Sequence, residues 1–476
     1  MKIARTMGGI LLLLCLGISV RWGFSIGLRL PGGPTDFQAY YYGTRCLIER
    51  RNPYDVTELK NFYQAEDSKH QWARSAESPA ESIQRHNTIT MYVNLPATFL
   101  LIAPFTLLPL VAAQTLWMIL SCSVFFLAAL LIWMFAWKYK STLSTFLIAL
   151  FLANCELVFS TGNAVGIVIG LCVIAVWCFI EDRFVTVGIL CMGISLAIKP
   201  HDAGLVWLYF LMAGGLYRKC ALQALAVAAS LTLPALVWVS LVAPHWFQYW
   251  RANMIAIAAP GAVNSPGPIS LATFYIGGVI NLQTLVSLFW GDPSIYNGIT
   301  YLICGTMLAA WLLRTIRSGA SQADTWLALA TIAPITMIVT YHRSYDAKLL
   351  LLTVPACAIL WSRGGPIRWA AFVITSLGFI LTADYPLAIL MLWVRNMRIP
   401  PTGILAQALT AVQMRPAPLI LLVMSVFYLL VYMRWAHRKE GRTFKEMVRT
   451  AEYEHADNGT TRLPMTKEAT ITPTGN

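Results

Sequence analysis

The chain has 476 residues, of which 57% are hydrophobic and only 12% are charged, and its mean hydropathy is +0.62. Soluble domains carry about a quarter charged residues, so this balance excludes an ordinary soluble protein and predicts an all-α protein that crosses a membrane many times. The net charge is +13. Because the basic residues stand in short clusters between apolar runs, they indicate membrane orientation and contact with membrane lipids, and no nucleic-acid partner.

The first apolar run, Met7–Val20, follows Lys2 and Arg5, and no small-x-small cleavage site comes after it. This pattern predicts an uncleaved first span. We expect residues 1–436 to form one integral-membrane domain with polar loops at 31–93 and 244–267, and residues 437–476 to form a disordered cytoplasmic tail. The further apolar runs lie at about 94–137, 142–158, 163–180, 184–198, 201–216, 221–243, 268–290, 297–314, 324–340, 347–361, 367–382 and 416–435.

The basic clusters predict which ends of these runs face the cytoplasm. Lys138 and Lys140, Arg218 and Lys219, and the later arginine clusters should lie there together with both termini of the chain. This arrangement requires an odd number of crossings between Tyr92 and Lys138, and a 268–290 run that is re-entrant or lies flat. The prediction is about twelve spans, within a range of 10 to 14, in an inner (plasma) membrane.

The same topology brings most of the remaining ionisable residues to the periplasmic face. Ionisable residues that collect within a membrane protein are expensive to place there and indicate a functional site. The segments concerned are the Asp36 loop, Thr161-Gly162-Asn163, Lys199-Pro200-His201-Asp202, the 244–267 loop and Tyr341 to Asp346.

Asp36 opens a stretch with the helical phase of Phe37, Tyr40 and Tyr41, which predicts an amphipathic helix that ends before Asn52-Pro53. One interpretation makes Thr35 or Asp36 the N-cap of this helix. The other makes Asp36 a general base whose pKa is raised by partial desolvation. The residues alone leave both open.

Lys199-Pro200-His201 lies between two apolar runs. Pro200 can simply open the next helix while Lys199 reaches out to the lipid headgroups. Alternatively, a lysine and an imidazole at a helix N-terminus form a phosphate site, because free N–H groups add to their charge. The positive-inside rule predicts few lysines on the outer face, which weakens the first interpretation.

The segment from Tyr341 to Asp346 holds His342, Arg343 and Asp346 between two apolar runs. An internal Arg343–Asp346 pair is one interpretation. Anion binding is favoured, since His342 and Arg343 lie at the same depth as Lys199.

Weaker signals lie elsewhere on the same face. Gly162-Asn163 is typical of a helix C-cap and turn, Asp202 and Asp384 of local caps, and His245 to Trp250 of an interfacial aromatic belt. The cysteines and acids show no metal-ligand spacing and no dense Asp/Glu cluster, so no metal and no cofactor are expected.

Several short motifs resemble, in order and spacing, those of bacterial GT-C-type mannosyltransferases that use polyprenyl-phosphate mannose (glycosyltransferase family 87, the family of the phosphatidylinositol-mannoside mannosyltransferase). The resemblance spans about residues 1–365, with Arg51 in place of a glycine, Asn163 in place of the usual Gln, Asn94-Leu95-Pro96 in place of a double proline, and an extra polar insert from about Glu66 to Asn87. The matching stretches are Asp36-Phe37 with the tyrosines after it, Asn52-Pro53-Tyr54-Asp55, Tyr92 to Pro96, Pro104 to Pro109, Gly162-Asn163, Lys199-Pro200 and His342 to Tyr345.

The resemblance implies a GT-C fold with a periplasmic active site that takes a sugar from a polyprenyl-phosphate donor and gives it, with inversion, to a lipid or glycan acceptor in glycolipid biosynthesis. Asp36 would be the catalytic base. His342, Lys199 and Arg343, with His201 beside them, would hold the donor phosphate. The remaining positions expected to contact donor or acceptor are Tyr40, Tyr41, Tyr92, Asn163, Tyr345 and Asp346.

A transporter or flippase of a lipid-linked or anionic solute is the rival hypothesis, because outer cations and an acidic gate would serve it too. Such a protein would show pseudo-symmetry between its halves and charges near mid-membrane. Neither is evident in the sequence, where the charges lie near the ends of the apolar runs.

Overall fold

A computed structural model describes residues 2–29, 35–68, 91–262, 264–267, 278–317, 321–383, 411–413 and 415–435 of the chain. Within these ranges the protein is helical and contains no β-strand beyond one isolated bridge. Short 3₁₀ helices lie at Ala103–Leu107 and Asp346–Leu352. The α-helices are α1 (Lys2–Arg29), α2 (Thr35–Ile48), α3 (Val56–Ser68), α4 (Ala97–Ile102), α5 (Leu110–Trp137), α6 (Ser141–Leu152), α7 (Glu156–Ser160), α8 (Val165–Ile180), α9 (Val185–Ile198), α10 (Pro200–Ala213), α11 (Gly215–Val242), α12 (Trp246–Ala258), α13 (Leu282–Val286), α14 (Pro293–Arg317), α15 (Gln322–Val339), α16 (Thr353–Arg363), α17 (Ile367–Leu381) and α18 (Pro416–Trp435).

Six of the described helices, α1, α5, α11, α14, α15 and α18, are long and apolar enough to cross a membrane. The prediction of an all-α polytopic membrane protein is confirmed at this level. Between Tyr92 and Lys138 one described helix, α5, has this length, which agrees with the odd number of crossings that the basic clusters require. The described part of the 268–290 run forms only the five-residue helix α13, which is too short to cross.

The helix bundle has two chemically different ends. At one, the basic end, Lys138 Nζ lies 3.0 Å from a Glu181 carboxylate oxygen, and Gln322 Nε2 lies 3.3 Å from the other. Asn163 lies just before the start of α8 and Glu181 directly after its end, and the 16 residues of α8 span about 24 Å. The residues expected to form the functional site therefore lie a membrane-scale distance from these basic clusters.

Helix α2 is present as predicted. It was expected to lie at the membrane interface with one apolar face, but residues on several of its sides are buried within the protein. Gln38 and Tyr42 are buried as well as Phe37 and Tyr41. The Phe37 ring lies 5.5 Å from the Trp117 ring, and on another side of the helix the Tyr42 ring lies 4.9 Å from that of Tyr63. The aromatic residues thus fix α2 within the protein, which holds the start of the helix in a defined position.

Gly43 of α2 lies in close contact with a buried aromatic ring. A Cβ added at Gly43 would lie 2.7 Å from the Tyr92 ring, which is itself buried and stacked on Phe99 at 4.9 Å. We expect Gly43→Ala to lower the free energy of unfolding by about 1–3 kcal/mol, because neither ring has room to move. Thermal unfolding in detergent measures this loss. Gly17→Ala, where an added Cβ meets nothing within 4 Å, is the matched control and should leave the midpoint unchanged.

Three predicted features lie outside the described residues. They are the 437–476 tail, the predicted cap Asp384, and residues 69–87 of the polar insert.

Candidate functional site

Asp36 lies in the first turn of α2 and is bound to the segment between α7 and α8. Its backbone N–H donates to the Thr161 carbonyl at 3.0 Å, and its Oδ2 accepts a hydrogen bond from Asn163 Nδ2 at 2.8 Å. Because the helix begins at Thr35 and the carboxylate bonds to another segment, Asp36 is not the N-cap.

Asn163 connects this carboxylate to a lysine. The preceding Gly162 adopts φ 65°, and Trp117 Nε1 donates to its carbonyl at 2.9 Å, which fixes the turn. Asn163 Oδ1 then accepts from the Val165 N–H at 3.0 Å and lies 3.4 Å from Lys199 Nζ. The predicted turn is present, and its asparagine amide bridges Asp36 and Lys199.

Lys199 stands at the junction of α9 and α10, where Pro200 opens α10 as predicted. Its side chain is only 11% exposed, and Nζ lies 2.9 Å from Asp346 Oδ1 and 3.3 Å from Asp202 Oδ2. The ammonium is also 5.6 Å from the centre of the Tyr345 ring. The lysine therefore points into the protein, and the interpretation that it reaches out to lipid headgroups is wrong.

The segment from Tyr341 to Asp346 folds around its own arginine. The Arg343 N–H donates to Asp346 Oδ2 at 2.7 Å, and the guanidinium donates to the Tyr341 hydroxyl at 2.8 Å and to Asn264 Oδ1 at 2.7 Å. An isolated antiparallel bridge between Arg343 and Val279 ties the segment to the chain before α13. Asp346 thus binds the Arg343 backbone with one oxygen and Lys199 with the other.

His342 is fully buried and meets the first turn of α10. Its Nδ1 lies 3.2 Å from the Thr340 carbonyl, and its Nε2 lies 3.3 Å from Asp202 Oδ1. The His201 ring centre is 5.3 Å from that of His342. The prediction that Asp202 is a local cap is wrong, because its carboxylate approaches Lys199 and His342 and makes no hydrogen bond to described residues.

We refer to these seven residues as the polar cluster: Asp36, Asn163, Lys199, Asp202, His342, Arg343 and Asp346. Burial raises the pKa of the Asp36 carboxyl, while the Asn163 hydrogen bond and the charges of Arg343 and Lys199 oppose this shift without cancelling it. Burial would lower the pKa of Lys199, but the charges of Asp202 and Asp346 raise it, so the ammonium stays protonated. Burial would likewise lower the pKa of His342, yet the contact with Asp202 leaves it raised.

The structure separates the other expected contact residues into two groups. Tyr40, whose hydroxyl lies 3.4 Å from the Ala164 N–H, and Tyr345 border the polar cluster. Tyr41 donates to the Leu108 carbonyl at 2.8 Å, and Tyr92 packs among Tyr54, Phe99 and Gly43, so these two support α2 instead.

Two further residues position the cluster and were not among the predicted site residues. Asn264 accepts from both the Tyr341 hydroxyl, at 2.9 Å, and Arg343. Tyr341 in turn accepts from Arg343, so each of these three side chains is hydrogen-bonded to the other two. This arrangement fixes the position of the guanidinium. The position of Tyr341 next to His342 indicates in the sequence that it lies near the site. Nothing in the sequence around Asn264 indicates such a role.

A partly open groove of about 510 Å³ runs between α9, α10 and α11 and reaches Pro200, the neighbour of Lys199. Its walls are almost entirely apolar. The lining includes Leu196, Pro200, Trp207, Leu208, Leu225 and Leu233.

Comparison with known proteins finds no matching family model, no matching curated protein and no matching solved structure.

Proposed function

We propose that this protein is an integral-membrane glycosyltransferase that moves a sugar, mannose in the first instance, from a polyprenyl-phosphate donor to a lipid or glycan acceptor. The proposal includes a GT-C-type fold with about twelve spans, an active site on the periplasmic face and both termini in the cytoplasm. It takes the donor class and the sugar from the motif resemblance, and the roles of the residues from the geometry of the polar cluster.

One observation carries the proposal: the buried Asp36 carboxylate, whose pKa is raised, is joined through Asn163 to the buried Lys199 ammonium at one end of a membrane bundle. A general base works best when its pKa approaches the ambient pH, and burial moves Asp36 in that direction. A carboxylate kept only as a cap would need neither the Asn163 bond nor nearby cations.

The cations suit a lipid-borne phosphate. Lys199 and Arg343 are permanently charged, and His342 is adjacent, so negative charge that develops on a leaving phosphate would be stabilised in a site with little water. The groove at Pro200 would take the apolar chain of the donor, since its wall is apolar and it lies between helices next to Lys199.

The reaction balances with these residues. The acceptor hydroxyl attacks the sugar C1, a new C1–O bond forms on the face opposite the departing phosphate, and the C1–O bond to phosphate breaks. Asp36 takes the hydroxyl proton, and polyprenyl phosphate leaves with the bonding electron pair. In-line attack inverts the anomeric centre, giving an α-linked product from a β-linked donor.

A donor labelled separately in the sugar and in the polyprenyl chain tests the proposal. Purified protein in vesicles should give a new sugar-labelled glycolipid and release chain-labelled polyprenyl phosphate. If both labels cross to the other leaflet in one unchanged molecule, the protein is a flippase and the transferase proposal fails.

The pH dependence of transfer reports on the proposed base. Transfer requires ionised Asp36, so the rate should fall as the pH falls through its raised pKa, at a midpoint above the ordinary carboxyl value of about 4. Asn163→Ala removes the hydrogen bond that lowers this pKa and should move the midpoint to higher pH. Initial rates at saturating donor measure both curves, and an unchanged midpoint would contradict the role of Asn163.

A further inference from the structure

Three side chains from two segments that are distant in sequence meet beside Lys199 with donor atoms typical of a metal site. One ligand atom each from His201, Asp202 and His342 lies within 4.8 Å of the other two. Imidazole nitrogens and a carboxylate oxygen are the ligand set of many sites for divalent transition metals. Asp202 and His342 are buried, whereas His201 is exposed.

The two buried groups face each other in an arrangement that calls for a cation. His342 Nδ1 lies 3.2 Å from the Thr340 carbonyl, and a carbonyl can only accept, so Nδ1 carries the proton. In the neutral ring, Nε2 then presents a lone pair to Asp202 Oδ1 at 3.3 Å. Neither Nε2 nor the Asp202 oxygens have a hydrogen-bond partner among the described residues. Two facing acceptors repel unless a proton or a metal ion lies between them.

The distance fits a metal ion. Two ligand atoms held about 2.0–2.1 Å from a tetrahedral zinc ion lie about 3.3–3.4 Å apart, which is the separation of His342 Nε2 and Asp202 Oδ1. The Nδ1 bond to a backbone carbonyl is the usual outer contact of a metal-binding histidine, and the approach of Lys199 to the other Asp202 oxygen orients the carboxylate.

The charge of the polar cluster points the same way. Among its described residues three carboxylates, Asp36, Asp202 and Asp346, oppose the two permanent cations Lys199 and Arg343. A divalent ion bound at Asp202 and His342 would add two positive charges to those of Lys199 and Arg343. The cluster would then hold more positive than negative charge, as a phosphate site requires.

We propose that His201, Asp202 and His342 bind one divalent transition-metal ion of the zinc type. This site does not follow from the sequence, where His342 lies 140 residues after Asp202 and His201-Asp202 resembles an ordinary first turn of a helix. A second step rests on the proposed function: the open position of the ion takes an oxygen of the donor phosphate, so that the ion and Lys199 hold the leaving group together.

Metal binding by the full-length protein in detergent tests the site without any activity assay. After treatment with a chelator and its removal, titration with Zn²⁺ should give one bound ion per chain by calorimetry and elemental analysis. Co²⁺ should give the strong visible absorption of a tetrahedral site. Asp202→Asn and His342→Gln should each abolish stoichiometric binding, and His201→Gln should weaken it.

His245→Gln, which changes an exposed histidine outside the cluster, is the matched control and should bind as the unmodified chain does. Should the buried variants fail to fold, His201→Gln still decides the matter, because the residue is exposed. No binding, or equal binding by all variants, overturns the proposal and leaves a proton on His342 Nε2 that faces Asp202 Oδ1.

The two proposals fail separately. Sugar transfer by a protein that binds no metal would overturn the metal site and leave the transferase standing. Stoichiometric metal binding by a protein that transfers no sugar would support the metal site and overturn the transferase proposal.

Discussion

Asp36→Asn should reduce sugar transfer by a factor of about 10²–10⁴, the usual contribution of a general base, and leave donor binding nearly unchanged. The asparagine oxygen can still accept the hydrogen bond from Asn163 Nδ2, so the start of α2 keeps its position. What is lost is the carboxylate that we propose takes the acceptor proton. Turnover of labelled donor and equilibrium binding of the same donor, measured on one preparation, separate the two effects.

The same substitution should not weaken the fold. Burial raises the pKa of Asp36 in the folded state above that in the unfolded chain. The folded protein therefore binds the proton more tightly, and stability declines as the pH rises from the unfolded pKa to the folded pKa. Asn, which is neutral at every pH, avoids this decline, so the thermal midpoint of Asp36→Asn at neutral pH should equal or exceed that of the unmodified protein.

Glu49→Gln is the matched control for this prediction. Glu49 is exposed beyond the far end of α2 and pairs with Arg45 at 3.6 Å, so the change removes a carboxylate next to the same helix but outside the cluster. Transfer should stay at the unmodified level. Full turnover by Asp36→Asn, or an equal loss in Glu49→Gln, would remove Asp36 from the role of base.

The convergence of Asp36, Lys199 and His342 was predictable from the sequence because it follows from topology. Apolar runs locate the helices, and basic clusters assign their ends, so residues at the other ends must meet. Helix α9 shows how closely this works: the predicted run 184–198 is observed as Val185–Ile198, with Lys199 directly after it.

The sequence could not predict what each side chain contacts at that end. The aromatic phase of α2 is the same whether the helix faces lipid or aromatic residues of its own protein. In the structure Gln38 and Tyr42 are buried, and Tyr42 packs against Tyr63 of α3. Asp202 lies in the first turn of α10, where acidic residues are common for local reasons. It becomes the neighbour of His342 only because the 341–346 segment packs on α10. Such contacts between distant segments leave no periodic signal.

Lys199→Met should cause the largest loss of stability of any single change in the cluster, about 3–5 kcal/mol, because it leaves two buried carboxylates without their shared cation. The ammonium lies 2.9 Å from Asp346 and 3.3 Å from Asp202, and methionine fills similar volume without charge. Thermal unfolding in detergent measures the loss. Lys219→Met, which neutralises an exposed lysine on α11, should leave the midpoint unchanged.

Donor binding should be lost as well in Lys199→Met, and a double variant can separate this effect from instability. Asp346→Asn removes one of the two carboxylates left without a partner, so Lys199→Met with Asp346→Asn should recover a large part of the thermal midpoint. It should not recover donor affinity, because the cation proposed to face the donor phosphate is still absent. Recovery of both would mean that Lys199 only holds Asp346 in place, and recovery of neither would mean that Asp202 is the carboxylate that most needs the lysine.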